Sequence, residues 1–266
     1  MLNIIFFAAL ILYFAGLVLQ FAGVSFKKEK VLRWAWFLFL AGLALHTAYI
    51  VARGILAHRF PLADQFEFAT AFSWGISLML LIFRTRMRAD WLTTAAMPMT
   101  FLVLSYAALQ PREITELMPA LRSFWFVFHI GSAVFSYSAF ILAGCSGLRY
   151  VLLARKEKGE AADRTRMQQM DYLGYRLVAL GFLLLTVVIL TGAIWAEQAW
   201  SSFWTWDPKE VWALITWIIY AVYLHLRLRM KRSGKGMAWF TIIAVPVVLF
   251  TFVGVNTLMP GLHSYG

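Results

Sequence analysis

Eight stretches of this sequence contain no lysine, arginine, aspartate or glutamate, and they decide what the chain can fold into. They span residues 1–26, 34–52, 68–83, 91–111, 123–148, 177–196, 211–226 and 236–266. A helix needs about 20 apolar residues to cross a hydrocarbon layer of roughly 30 Å. Six runs meet that length, or come within a residue of it. The third and seventh have 16 residues each and must borrow their polar flanks. With 62% hydrophobic and 14% charged residues and a mean hydropathy of +0.72, the chain carries more apolar surface than a water-soluble fold can bury. A soluble enzyme is excluded. The expected class is an all-α polytopic membrane protein of about eight transmembrane helices, organised as a single domain over 1–266.

The net charge of +11 would point to nucleic acid in a soluble protein. Here the basic residues lie in the short connections, and their distribution sets the orientation. The first, third, fifth and seventh connections hold 19 Lys and Arg, and the opposite side holds 5: Arg53, Arg59, Arg112, Arg122 and Lys209. This asymmetry places both termini and the connection between the sixth and seventh spans outside. The first 26 residues have neither a basic start nor a cleavage-like small-residue site, so they read as a retained helix. The mixed-charge stretch 154–176 reads as a solvated helical connector. Cys145 is the only cysteine, which excludes a disulfide framework, a CxxC pair and a zinc cluster within this chain. In Gly144-Cys145-Ser146-Gly147 it reads as a small packing residue.

The external connections hold the unusual composition. Six of the twelve tryptophans fall within residues 195–217: Trp195, Trp200, Trp204, Trp206, Trp212 and Trp217. An aromatic belt at the membrane interface accounts for two or three of these, but not for this density interrupted by Ser, Asp, Pro, Lys and Glu. Indole faces stack well on a large π-system, so Trp195, Trp200, Trp204, Trp206, Asp207 and Trp212 read as a platform for a planar ligand. Asp207 stands as N-cap and Pro208 as first residue of the seventh helix. Backbone N–H groups at that helix start are expected to receive an anionic group, and Lys209 adds positive charge. A porphyrin with two propionates matches these features.

Four of the five histidines sharpen the reading. His129, near the outer end of the fifth span, and His263, in the tail, both flank the tryptophan-rich loop. Paired imidazoles suit haem iron. His46 and His225 lie within spans, where an ionisable group points to function. At about 1.5 Å per residue they sit roughly 17 and 21 Å below the outer helix ends, compatible with one shared ligand. A buried, hydrogen-bonded structural role for His46 fits equally well. His58, beside Arg59, reads as an ordinary interfacial residue.

Trp200-Ser-Ser-Phe-Trp204-Thr-Trp206-Asp207-Pro208-Lys209-Glu210 resembles the WWD motif of haem-handling cytochrome c assembly proteins, and among these the CcsA/ResC family. Gly254-Val255-Asn256 and Gly261-Leu262-His263-Ser264-Tyr265 resemble that family's C-terminal end. Residues Phe60-Pro61-Leu62-Ala63-Asp64-Gln65-Phe66-Glu67 resemble its first external loop. Ser201 departs from the pattern, which usually carries glycine after the first tryptophan, and its side chain is expected to tilt the loop slightly.

The resemblance implies that His129 and His263 ligate one haem iron outside. It also implies that His225 serves a second haem site inside the membrane, with His46 or a histidine of a partner subunit opposite. It further implies haem b as bound cargo, a CcsB/ResB-type membrane subunit, an external thiol reductant and an apocytochrome c offering CxxCH. The chain would then belong to a holocytochrome c synthase, or haem lyase, of the bacterial inner membrane. No residue is assigned an acid–base role. A CcmC-like haem exporter and a membrane regulator of haem synthesis on the same scaffold are the alternatives, and a transporter of other aromatic solutes is the weakest.

Overall fold

The computed structural model describes residues 2–155 and 161–259. The elements are α1 (Leu2–Ser25), α2 (Glu29–Ala57), α3 (Gln65–Met87), α4 (Thr93–Ala108), α5 (Phe124–Ala154), α6 (Ala161–Trp200), α7 (Pro208–Leu228), α8 (Lys235–Leu249) and α9 (Val255–Leu258). A π-turn over Phe250–Gly254 joins α8 to α9, and single 3₁₀ turns precede α4 and α5. No strand occurs among the described residues. Among the described residues, eight segments are long and apolar enough to cross a membrane, the last running through α8, the π-turn and α9. The chain is thus a multi-pass, all-α membrane protein, and each of the eight apolar runs supplies one of these segments. As expected, the two short runs borrow polar flanks: α3 reaches 23 residues and α7 reaches 21.

In its described part the 154–176 stretch is helical, as expected, and it is continuous with the sixth span. From Ala161 onward it is the first part of α6, which has 40 residues and a length of about 60 Å. One face of this part packs inward through Met167, Met170 and Leu173. A clasp explains why the helix continues: the Asp171 carboxylate takes a two-pronged bond from Arg227 (3.0 and 2.5 Å) and another from the Gly234 N–H at 2.9 Å. Charge-assisted forks of this kind fix register as well as adding energy.

The chain divides into two compact units, Met1–Glu116 and Leu117–Gly266. In the first, α1 packs on α2 and α4, and α3 packs on α4 and α2. In the second, α5 packs on α6 and α8, while α7 lies against α6 and α8. Helices in a membrane gain little from hydrophobic burial against each other and associate through small residues and interhelical hydrogen bonds. The segment 144–147 shows this. A β-carbon at Gly147 would come within 2.5 Å of the Ala238 carbonyl oxygen of α8. Between the two glycines, Cys145 is buried as a small packing residue, and the Ser146 hydroxyl donates to the Met170 carbonyl at 2.6 Å. Gly147→Leu should therefore force α5 off α8 and cost about 3 kcal/mol, read as a clear fall in the detergent-solubilised melting temperature. Cys145→Ala should leave that temperature close to wild type.

Candidate functional site

The site is assembled at one end of the second unit, where α5 begins, α6 ends and α7 begins. Ser123 caps α5 by accepting from the Trp125 N–H at 3.2 Å, and its hydroxyl donates to Gln198 of α6 at 2.9 Å. Two turns of antiparallel contact follow. Trp195 is 1% exposed, donates its indole N–H to the Ala120 carbonyl at 2.8 Å, and packs on Phe126 with ring centroids 5.3 Å apart. The His129 ring lies 5.9 Å from the same indole, and Trp200 closes the other side at 5.0 Å. Trp195 is thus the floor beneath the loop, and it presents no open face.

His129 is seated by backbone. Its Nδ1 stands 2.8 Å from the Val188 carbonyl oxygen of α6. A carbonyl can only accept, so the proton sits on Nδ1 and the ring lone pair on Nε2, the arrangement a metal-binding imidazole needs. The ring comes this close because residue 192 is glycine: a β-carbon there would lie 2.8 Å from His129 Cε1 and Nδ1. Gly192 and the Val188 carbonyl escaped the sequence reading. The only signal was position, since Val188, Gly192 and Trp195 follow one another on a single face of α6.

The loop between α6 and α7 is built by its own carboxylates. Asp207 is buried and caps α7, accepting from the Lys209 N–H at 2.9 Å. Glu210 completes the capping box by accepting from the Asp207 N–H at 3.2 Å, and it also takes the Thr205 N–H at 2.8 Å. The N-cap expectation therefore holds. The expectation of an open anion cradle does not, because Asp207 already fills the first-turn N–H groups, Pro208 has none and the Val211 N–H bonds the Asp207 carbonyl. Asp207 and Glu210 serve as loop struts.

What this frame exposes is Trp206. Its indole is 71% exposed, its backbone is left-handed with φ +60°, and Trp204 meets it edge-on at 5.9 Å. Trp204 and Trp212 are half-buried, the latter against Phe250 of the π-turn at 4.4 Å. Ser201 is also left-handed, with φ +56°. It terminates α6 where a glycine would be unstrained, so the departure strains the backbone more than it tilts a side chain.

His46 and His225 lie on α2 and α7. His225 is exposed on the flank of α7, in a stripe with Ile218 and Val222. His46 belongs to the first unit and is 1% exposed, with Nδ1 3.4 Å from the Tyr13 hydroxyl. His263 and the end of the tail lie outside the described residues. The first-loop segment forms a buried ion cluster. Glu67, fully enclosed, accepts from Arg53 at 2.8 Å and from Arg59 at 2.6 Å. Asp64 caps α3, and burial aided by the Glu67 charge pushes its carboxyl up to about 6.

A multi-pass helical protein with a strutted tryptophan loop over a backbone-seated histidine is the class these observations define. Residues 62–263 match the family described as cytochrome C assembly protein. The cytochrome c biogenesis protein CcsA of Prochlorococcus marinus (strain MIT 9313) is 34% identical over 261 residues, 85% of this chain and 82% of that protein. The protein of the same name from Parasynechococcus marenigrum (strain WH8102) is 34% identical over 257 residues, covering 85% and 84%. That of Chlamydomonas reinhardtii is 35% identical over 215 residues, covering 78% and 61%. The chain belongs to the cytochrome c assembly protein family.

Ser201→Gly should relieve the left-handed strain and stabilise the protein by about 1 kcal/mol, whereas Ser201→Val should lower its melting temperature. Equal melting temperatures for both variants would contradict the strained cap.

Proposed function

We propose that the chain acts in cytochrome c biogenesis as the subunit that binds haem b and presents it for thioether attachment to the CxxCH cysteines of apocytochrome c. The observation that carries this is the seat of His129 beneath the tryptophan loop. Its proton is fixed on Nδ1 by the Val188 carbonyl, with Gly192 leaving room for the ring. This donor set fits haem iron: imidazole is a common axial ligand, and no group of three or more His, Cys, Asp or Glu that could hold a bare metal ion occurs among the described residues. His129 and, from the tail, His263 would hold the iron. Trp206, with help from Trp204, Trp200 and Trp212, offers ring face to the macrocycle.

In this reading the chain positions its cargo and leaves proton transfer to others. Asp207 and Glu210 are committed to the loop backbone, so neither is poised as acid or base. Fixing a reactive edge near two thiols removes a large part of a bimolecular barrier. Cys145 is buried within a helix interface, so the reacting thiols must come from the apocytochrome, kept reduced by a separate thiol reductant.

His225, on the open flank of α7, marks where a CcsB/ResB-type subunit and a second, intramembrane haem would meet this chain. His46 is enclosed with Tyr13, and its burial supports a packing role. The 19-to-5 basic asymmetry supports an inner-membrane location with the tryptophan loop outside.

Two experiments test the proposal. Substituted cysteines at positions 209 and 235 should label from opposite faces of intact cells, 209 from outside; labelling of both from one face would overturn the orientation. In a strain supplying the partner subunit and a CxxCH cytochrome, His129→Gly should lose about tenfold or more of covalent haem transfer and change the spectrum of copurified haem. Added imidazole should restore both. Gly192→Ala, by displacing the ring, should reproduce the spectral change at unchanged protein abundance, and Trp206→Ala should lower retained haem without imidazole rescue. Wild-type spectra for both His129→Gly and Gly192→Ala would sink the reading.

A further inference from the structure

We infer that the corner of the first unit formed by the last turn of α2, the 58–64 turn, the start of α3 and the segment at Arg112 is a binding site for an oxyanion, either a carboxylate or a phosphate group. Two guanidinium groups, those of Arg53 and Arg59, meet two carboxylates there, and the Arg112 backbone closes the corner. Glu67 Oε1 takes the Arg53 Nε–H at 2.8 Å, while Oε2 takes Arg59 Nη1 at 2.6 Å and the Ala63 N–H at 2.8 Å. Asp64 Oδ1 takes the Glu67 N–H at 2.7 Å, and its Oδ2 lies 3.6 Å from Arg53 Nη2. The remaining Arg53 donors go to the Arg112 and Glu113 carbonyls at 2.9 and 3.1 Å.

Two charged donors are left over. Arg59 Nη2 and Arg112 Nη1 are both shielded from solvent and have no hydrogen-bond partner. The Arg59 side chain is only 10% exposed, and those of Arg53 and Glu67 are 3% and 0% exposed. A buried charged donor without an acceptor is expensive, and two such donors at one corner call for an anionic acceptor. Guanidinium edges match the planar or tetrahedral oxygens of carboxylate and phosphate. The surroundings give the ligand a second property. Arg112 lies over the Phe7 ring at 4.8 Å, Arg53 lies over Phe66 at 4.8 Å, and the corner sits at the end of apolar spans. The ligand is therefore an anionic head on an apolar body.

A phospholipid phosphate and a porphyrin propionate share that chemistry. The lipid source is independent of the haem proposal above, and the propionate source rests on it. The full chain in non-ionic detergent is titrated with iron-free protoporphyrin IX and with its dimethyl ester, and phosphatidylglycerol retention is read by native mass spectrometry. Without iron, binding needs no axial histidine, so failure of the His129 assignment does not affect this result. Wild-type protein should bind at least one anionic probe. Arg112→Gln and Arg59→Lys should weaken that binding about tenfold, equivalent to about 1.4 kcal/mol; Arg122→Gln, in the other unit, should not. Arg112→Gln leaves every bond to Glu67 in place, because Arg53 engages only the Arg112 carbonyl, so it stays informative if Arg59→Lys misfolds. Loss of diacid but not diester binding assigns the site to propionate, and loss of retained phosphatidylglycerol assigns it to lipid. If neither anionic probe binds, or both bind the two variants as tightly as wild type, only solvent fills the corner and the inference fails.

Discussion

The antiparallel contact of α5 with α6 is the constraint on which the functional end depends. Five bonds run along it, from the Ser146 hydroxyl to the Met170 carbonyl at one end to Ser123 with Gln198 at the other. Between them stand Ser136 on the Gly181 carbonyl, His129 on the Val188 carbonyl, and Trp195 on the Ala120 carbonyl that precedes α5. The partners step in opposite directions along the two helices at nearly constant register. A slide of one residue would break all five together. In lipid, where apolar contact between helices earns little over apolar contact with acyl chains, polar bonds and small residues specify the pairing. The position of His129 is thus set by a zipper some 30 residues long, and the loop above inherits that rigidity.

Much of this was legible in the sequence. The spans follow from charge-free runs, because a charge inside hydrocarbon is costly whatever the tertiary context. Asp207 as N-cap was legible because capping is local chemistry, decided by residues within one turn. Its consequence was not. The same capping box that fixes the loop consumes the N–H groups which the sequence offered to an anion: Asp207 takes those of the first turn, and Glu210 folds back onto Thr205 and Asp207.

Tertiary choices were harder to read. Trp195 and Trp206 look alike in a tryptophan-rich string, yet one is a floor beam and the other a displayed ring. The difference lies in which face of α6 meets α5, and composition does not carry that information. Gly192 was silent for the same reason: a missing β-carbon matters only where another side chain approaches. The first-loop segment stood out as a resemblance, but its physical content, a carboxylate enclosed by two guanidinium groups, needed Arg53 to arrive from α2.

Trp206 holds a backbone conformation that costs a residue with a β-carbon about 1–2 kcal/mol, and its largely exposed ring recovers little of this by packing. Evolution toward robustness alone would replace it with glycine, since most proteins lie well short of their stability optimum and such substitutions are readily found. On the function proposed above, the displayed ring is what that conformational cost serves. If the ring does serve the cargo in this way, the loop is where a sturdier version of this protein would trade heat resistance against activity.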